Sequence, residues 1–130
     1  MTLEEFKALP YLLTPGQVVG CGYTAATLVK YAAHGILLVI LPKGCAQRRF
    51  QKRQIAQLNG WESALDFAGW AREKSMLRLN AVCQWTGYTE ETVSHIVAAG
   101  GLLRVQPGGI GYGLFRKSDV GAWLGLTENL

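Results

Sequence analysis

The phrase Gly22-Tyr23-Thr24-Ala25-Ala26-Thr27 returns 65 residues later as Gly87-Tyr88-Thr89-Glu90-Glu91-Thr92. Sliding the chain by that offset without gaps also superposes Ala33 on Ala98, Gly35 on Gly100, Leu37-Leu38 on Leu102-Leu103, Pro42 on Pro107, Gly44 on Gly109, Phe50 on Phe115 and Lys52 on Lys117. These are 12 identities over the 37 positions from 22 to 58, where ordinary residue usage gives roughly two or three. A chain of 130 residues is therefore two copies of one small unit, and any fold assigned to one half must serve the other.

Each copy reads as the same series of elements. Thr14 is a good helix N-cap and Pro15 suits the first helical position, so a short helix is expected from Pro15 to Gly20. A tight turn at Cys21-Gly22-Tyr23 leads to a second helix capped by Thr24, with Leu28, Tyr31 and Ala32 at helical spacing and Gly35 at its end. Two helices joined by a short glycine turn are a helix-turn-helix. The β-rich run Leu37 to Leu41, the turn-prone Pro42-Lys43-Gly44 and a returning Arg49-Phe50 predict a hairpin, or wing, followed by a helix over Lys52 to Leu58. Copy two repeats this with a helix near Asn80 to Trp85, a helix from Thr89 to Gly100, a hairpin around Pro107 to Gly113 and a closing helix from Ser118 to Leu124 capped by Ser118. Thr2 and Glu5 suggest a capping box on a short first helix, and Trp61 to Lys74 an amphipathic helix joining the copies. The expected fold is mainly α with small β-hairpin wings (α+β). It divides into a first unit at 1–60, a helical linker at 61–75 and a second unit at 76–130.

With 49% apolar and 17% charged residues the chain is core-forming. Its longest aliphatic run, Ile36 to Leu41, falls far short of the roughly 18 residues that span a bilayer, and the acidic start is unlike a signal peptide, so a cytoplasmic protein without membrane contact is expected. Cys21, Cys45 and Cys83 are odd in number and form no metal-ligand pair, His34 and His95 stand singly, and no nucleophile has a positioned base. No cofactor, metal or catalytic residue is expected. The glycine-rich Pro107 to Gly113 lacks the Lys-Ser or Lys-Thr ending of a nucleotide loop and reads better as a hairpin tip. The net charge of +4 is local: Lys43 to Arg53 holds five cations and no acid, and the remaining eight cations and nine acids leave −1.

The ordered series Leu13-Thr14-Pro15-Gly16-Gln17-Val18, Thr24, Thr27-Leu28, Gly35-Ile36-Leu37, Pro42 and Arg48-Arg49-Phe50 resembles the winged helix-turn-helix of the MerR superfamily, especially its excisionase-like and AlpA-like members. Copy two matches at Gly87-Tyr88-Thr89, Thr92-Val93, Gly100 to Leu103, Pro107 and Leu114 to Val120, but has Gly113-Leu114 where copy one has Arg48-Arg49. The resemblance implies double-stranded DNA as partner, and a bacterial or phage transcription regulator or recombination accessory factor, nucleoid-associated when bound. The long dimerisation helix and effector site of a full MerR regulator have no counterpart here.

In such a fold the second helix enters the major groove and the wing reaches phosphates or the minor groove. That nominates Thr24, Ala25, Ala26, Thr27 and Lys30 on the first such helix, and Lys43, Gln47, Arg48, Arg49, Lys52 and Arg53 on or beyond its wing. Affinity is expected mostly in this first wing. In copy two Thr89, Thr92, His95, Arg104, Arg116 and Lys117 are candidates, but Glu90 and Glu91 make it the poorer DNA surface. Protein contact or homodimerisation through the linker helix or second unit stays open, and a winged protein-interaction module with little DNA binding is the alternative function. The tryptophans are expected in the core, with Trp61 and Trp70 also open to an interface role.

Overall fold

A computed structural model describes residues 1–106, 108 and 112–126. The first half runs α1 (Leu3–Lys7), β1 (Leu12–Leu13), α2 (Pro15–Gly20), α3 (Ala25–Ala33), β2 (Val39–Ile40), β3 (Arg49–Gln51) and α4 (Lys52–Asn59). After a 3-10 turn at Glu62–Ala64 the second half runs α5 (Phe67–Arg72), β4 (Met76–Leu77), α6 (Leu79–Thr86), α7 (Glu90–Ala98), β5 (Arg104–Val105), β6 (Leu114–Arg116) and α8 (Lys117–Leu124). The architecture is α+β, with two three-stranded antiparallel sheets ordered β1-β3-β2 and β4-β6-β5. Pro107 and residues 109–111, at the expected tip of the second hairpin, lie outside the described residues, as do residues 127–130.

Local chemistry sets the elements. Thr14 accepts from the Gln17 N–H while the Gln17 side chain accepts from the Thr14 N–H, and Pro15 follows at the first helical position. Thr24 and Thr89 cap α3 and α7 identically, through the N–H three residues on. Gly35 and Gly100 then leave the helices at φ +72° and +85°, where a side chain would be strained.

The strand and helix registers extend the repeat beyond its ungapped stretch. Leu13 and Val39 both face Phe50, and Leu77 and Arg104 both face Phe115. From Leu13 to Gly22 is nine steps and from Leu77 to Gly87 ten, so the second unit carries one extra residue in the α6 segment. Upstream of it the offset is 64, which is why ungapped similarity begins at Gly22. On that offset Phe6 of α1 corresponds to Trp70 of α5, each lying under the repeated lysine: Lys52 Nζ is 5.4 Å from the Phe6 ring centroid and Lys117 Nζ 5.4 Å from that of Trp70.

The structure corrects three expectations. The joining segment is not one helix, because Leu65 is extended and Asp66 starts a new helix by accepting from the Gly69 N–H; α5 stands in the second unit where α1 stands in the first. Each hairpin gains a third strand, β1 or β4. Ser118 lies inside α8, whose N-cap is Arg116 with no side-chain cap.

The two units share their packing. One face of the first sheet, with Leu13 and Phe50, joins Phe6, Val18, Leu28, Ile55 and Ala56 in the first core. The pleat sends Leu12 and Ile40 to the opposite face, where they enter the second core with Trp70, Leu77, Val93, Ile96, Phe115 and Leu124. At the seam Gly44 is so close to α7 that a Cβ there would meet the His95 carbonyl at 2.5 Å. Gly101 stands equally close to the Lys43 backbone. No helix among the described residues is long and apolar enough to cross a membrane.

Candidate nucleic-acid interface

The first turns of α3 and α7 carry the helix candidates. Thr24, Ala25, Ala26 and Lys30 are exposed, as are Thr89 and His95, while Thr27 and Thr92 are half-buried and bonded to Thr24 and Thr89, Oγ1 to Oγ1, at 2.8 and 2.9 Å. The threonines thus serve first as caps, and Glu90 and Glu91 sit exposed in the first turn of α7.

The basic run does not form one exposed patch. Lys43, Gln47 and Arg48 are exposed, but their three basic neighbours in the run turn inward. Arg49 donates from Nη1 to the Leu12 carbonyl at 3.1 Å and lies 5.0 Å from the Tyr88 ring centroid, in the seam. Lys52 is 1% exposed and donates to the Lys7 and Leu9 carbonyls at 2.9 and 2.8 Å, closing the C-terminal end of α1. Burial there pushes its ammonium down to about 8. Arg53 donates to the Gly125 carbonyl beyond α8 and lies 5.7 Å from the Phe67 ring centroid. The expectation that all five cations serve a DNA-facing wing is therefore corrected for Arg49, Lys52 and Arg53, each of which turns inward and donates to a backbone carbonyl of another segment.

In the copy-two pair only Lys117 follows this pattern, while Arg116 stays exposed. Arg116 is paired with Asp119 at 3.0 Å, and Lys117 donates to the Glu73 carbonyl at 3.1 Å over Trp70, as Lys52 does to α1 over Phe6. Among the described residues the buried Tyr88 hydroxyl and Arg49 Nε have no hydrogen-bond partner, and burial pushes the Tyr88 hydroxyl and the Cys21 and Cys83 thiols up. Among the described residues no three His, Cys, Asp or Glu side chains cluster to hold a metal.

A groove of about 680 Å³ opens in the second unit between the start of α6, one side of α7 and the second sheet. Arg78, Asn80, Ser94, Arg104 and Tyr112 supply its polar groups, Val93, Val97 and Phe115 part of its apolar wall, and no carboxylate among the described residues lines it. Arg78 stacks 4.9 Å from the Tyr112 ring centroid. Arg104 lies across Gly113 so closely that a Cβ on Gly113 would collide with its Cγ and Nε. A second groove shares Arg78, Asn80 and Tyr112 and continues past Arg72 and Lys74, with Glu73 its one acid among the described residues.

Sequence reasoning misses Arg78 and Tyr112, because it ranks the second unit as the poorer surface. The signal that finds them is the repeat used as a comparator. Thr14, Val39, Gln47 and Arg48 occupy in the first unit the places of Arg78, Arg104, Tyr112 and Gly113. No family model, curated protein or solved structure matches the chain.

Proposed function

We propose that this chain is a duplex-DNA-binding protein built from two winged helix-turn-helix units, non-catalytic, acting on the nucleoid as a transcription regulator or a recombination accessory factor of the excisionase-like kind. The observation that carries the reading is the duplication: helix, glycine turn, threonine-capped helix and antiparallel hairpin occur twice, each with its own core, and each time with the first turn of the second helix exposed. A helix so presented is the element that lies in a major groove. Exposed cations with no acid partner among the described residues, Lys30 and Lys43 in one unit and Arg78 and Arg104 in the other, supply the phosphate contacts. The test is fluorescence anisotropy against a pool of random duplexes at several salt concentrations. Binding that weakens steeply as salt rises is expected, and no binding at low salt refutes the reading.

A second reading, protein contact, is favoured by one observation. The first unit exposes Val29 (67%), Leu38 (52%) and Leu41 (50%) with Ile36 on its surface. A partner or second copy on this face leaves the second unit free for DNA, and light scattering of the purified protein separates a monomer from a dimer.

A further inference from the structure

We infer that the groove between α7 and the second sheet is an oxyanion seat, taking a backbone phosphodiester of the duplex between Arg78 and Arg104. The inference deepens the DNA-binding reading and rests on it. Three independent features support it. Both arginines are exposed, and among the described residues neither has a carboxylate or a hydrogen-bond acceptor. Five donors on a planar fork match the oxygens of a phosphate. Each arginine is also positioned by a neighbour, since Tyr112 lies under Arg78 and Gly113 leaves the space that the Arg104 chain crosses. Finally, the groove adjoins Ser94 and Val97 of α7, so a phosphate seated there lies beside the helix proposed to read the major groove.

The first unit has no such seat. Thr14 and Val39 replace the two arginines, and Arg48 takes the position at which Gly113 leaves space. The two-arginine phosphate seat is thereby assigned to the unit whose sequence looks less basic, in addition to the single lysines of the first unit, with Glu90 and Glu91 kept in the first turn of α7 and outside the groove lining.

The test compares wild type, the double variant R78A/R104A and the single variant G113A on a labelled random duplex. G113A keeps both charges, and the nearest atoms its Cβ meets all belong to the Arg104 side chain; an unchanged melting temperature is the control that its fold is kept. The wild type should bind with a steep salt dependence. In R78A/R104A affinity should fall by about tenfold per arginine near about 50 mM salt, and the slope of log K against log salt should shrink by about two. In G113A it should shrink by about one. Unchanged slopes in both variants overturn the seat while leaving the DNA-binding reading intact. No duplex binding by the wild type overturns both. In that event a melting-point rise with pyrophosphate, lost in R78A/R104A, reassigns the groove to a free phosphorylated molecule.

Discussion

The two units are built on one plan and finished differently. The single cation that repeats, Lys52 in the first unit and Lys117 in the second, closes the preceding helix over an aromatic ring in both. The cations that do not repeat differ in fate. Arg49 and Arg53 join the units together, whereas Arg78 and Arg104 stand over a groove. Within this internal repeat, a charge kept in both copies marks scaffold, and a charge present in one copy marks either the seam or a site.

The sharpest break of this comparison exchanges the residues that make the seam one-sided. Gly101 touches the backbone of Lys43 across the seam, and Ile36 is its counterpart in the first unit, exposed at 46%. A Cβ at position 101 has nowhere to go, because the obstacle is backbone and not a flexible side chain. Gly101→Ile should therefore cost about 3 kcal/mol or more in thermal unfolding, by forcing the first hairpin off α7. Ile36→Gly should cost only about 1 kcal/mol, chiefly backbone entropy. Equal losses would mean the seam is not tight at Gly101. The same asymmetry keeps the docking one-way, because Ile36 blocks another hairpin from packing on the first unit as the first hairpin packs on the second.

Next in size is the pH response of Lys52. Its folded-state value, about 8, lies below the ordinary lysine value of 10.5, so between these values the unfolded chain holds a proton that the folded chain has lost. Stability from this group therefore rises with pH in that window, and below about 8 the full cost of burying the charge is present. Relative to Lys52→Met, the wild type should gain about 2 kcal/mol between about pH 7.5 and about pH 9.5. Burial raises the Tyr11 and Tyr23 hydroxyls, which oppose the trend at higher pH, so the comparison belongs below their titration. A constant difference between the two proteins across the window would refute the buried, charged assignment.

Adjacent arginines offer a smaller and cleaner contrast. Arg49→Ala should lower stability by about 1–2 kcal/mol, leaving the Leu12 carbonyl and the Tyr88 ring uncovered, with the salt slope of DNA binding unchanged. Arg48→Ala, at an exposed side chain, should leave the melting temperature alone and reduce the slope by about one. The reverse pattern would restore the wing that the basic run suggests.

These cases show where the sequence is legible. The caps Thr14, Thr24 and Thr89, the glycine ends and the hairpin returns are local chemistry, and the helices follow from them. The strands β1 and β4 are two residues long, too short for a period, and exist only because β3 and β6 offer an edge. The wing misleads for a different reason. A run of charges in sequence says how many cations are near each other, but alternation along a strand and a helix start sends Arg48 outward, Arg49 to the seam and Lys52 into the core. The basic groove needs Arg78, Arg104 and Tyr112 from three separate segments, so no window along the chain contains it.

The smallest expected effect tests the correspondence of the grooves directly. In the second unit Arg104 needs Gly113 beneath it, and in the first Val39 and Arg48 hold the matching positions. Val39→Arg alone puts two guanidinium chains into one space and removes a half-buried aliphatic, which should cost about 1–2 kcal/mol. Adding Arg48→Gly clears the space and restores the native net charge. The double variant should then recover about 1 kcal/mol relative to the sum of the single ones, a coupling that thermal unfolding of the four-member cycle reads directly. Additive losses would mean that positions 39 and 48 do not meet as 104 and 113 do. Recovery would show the Arg104 and Gly113 side of the second unit's groove to be a two-residue rearrangement of the first, and the paired exchange would move an arginine from position 48 to position 39 without altering the charge on which a salt titration depends.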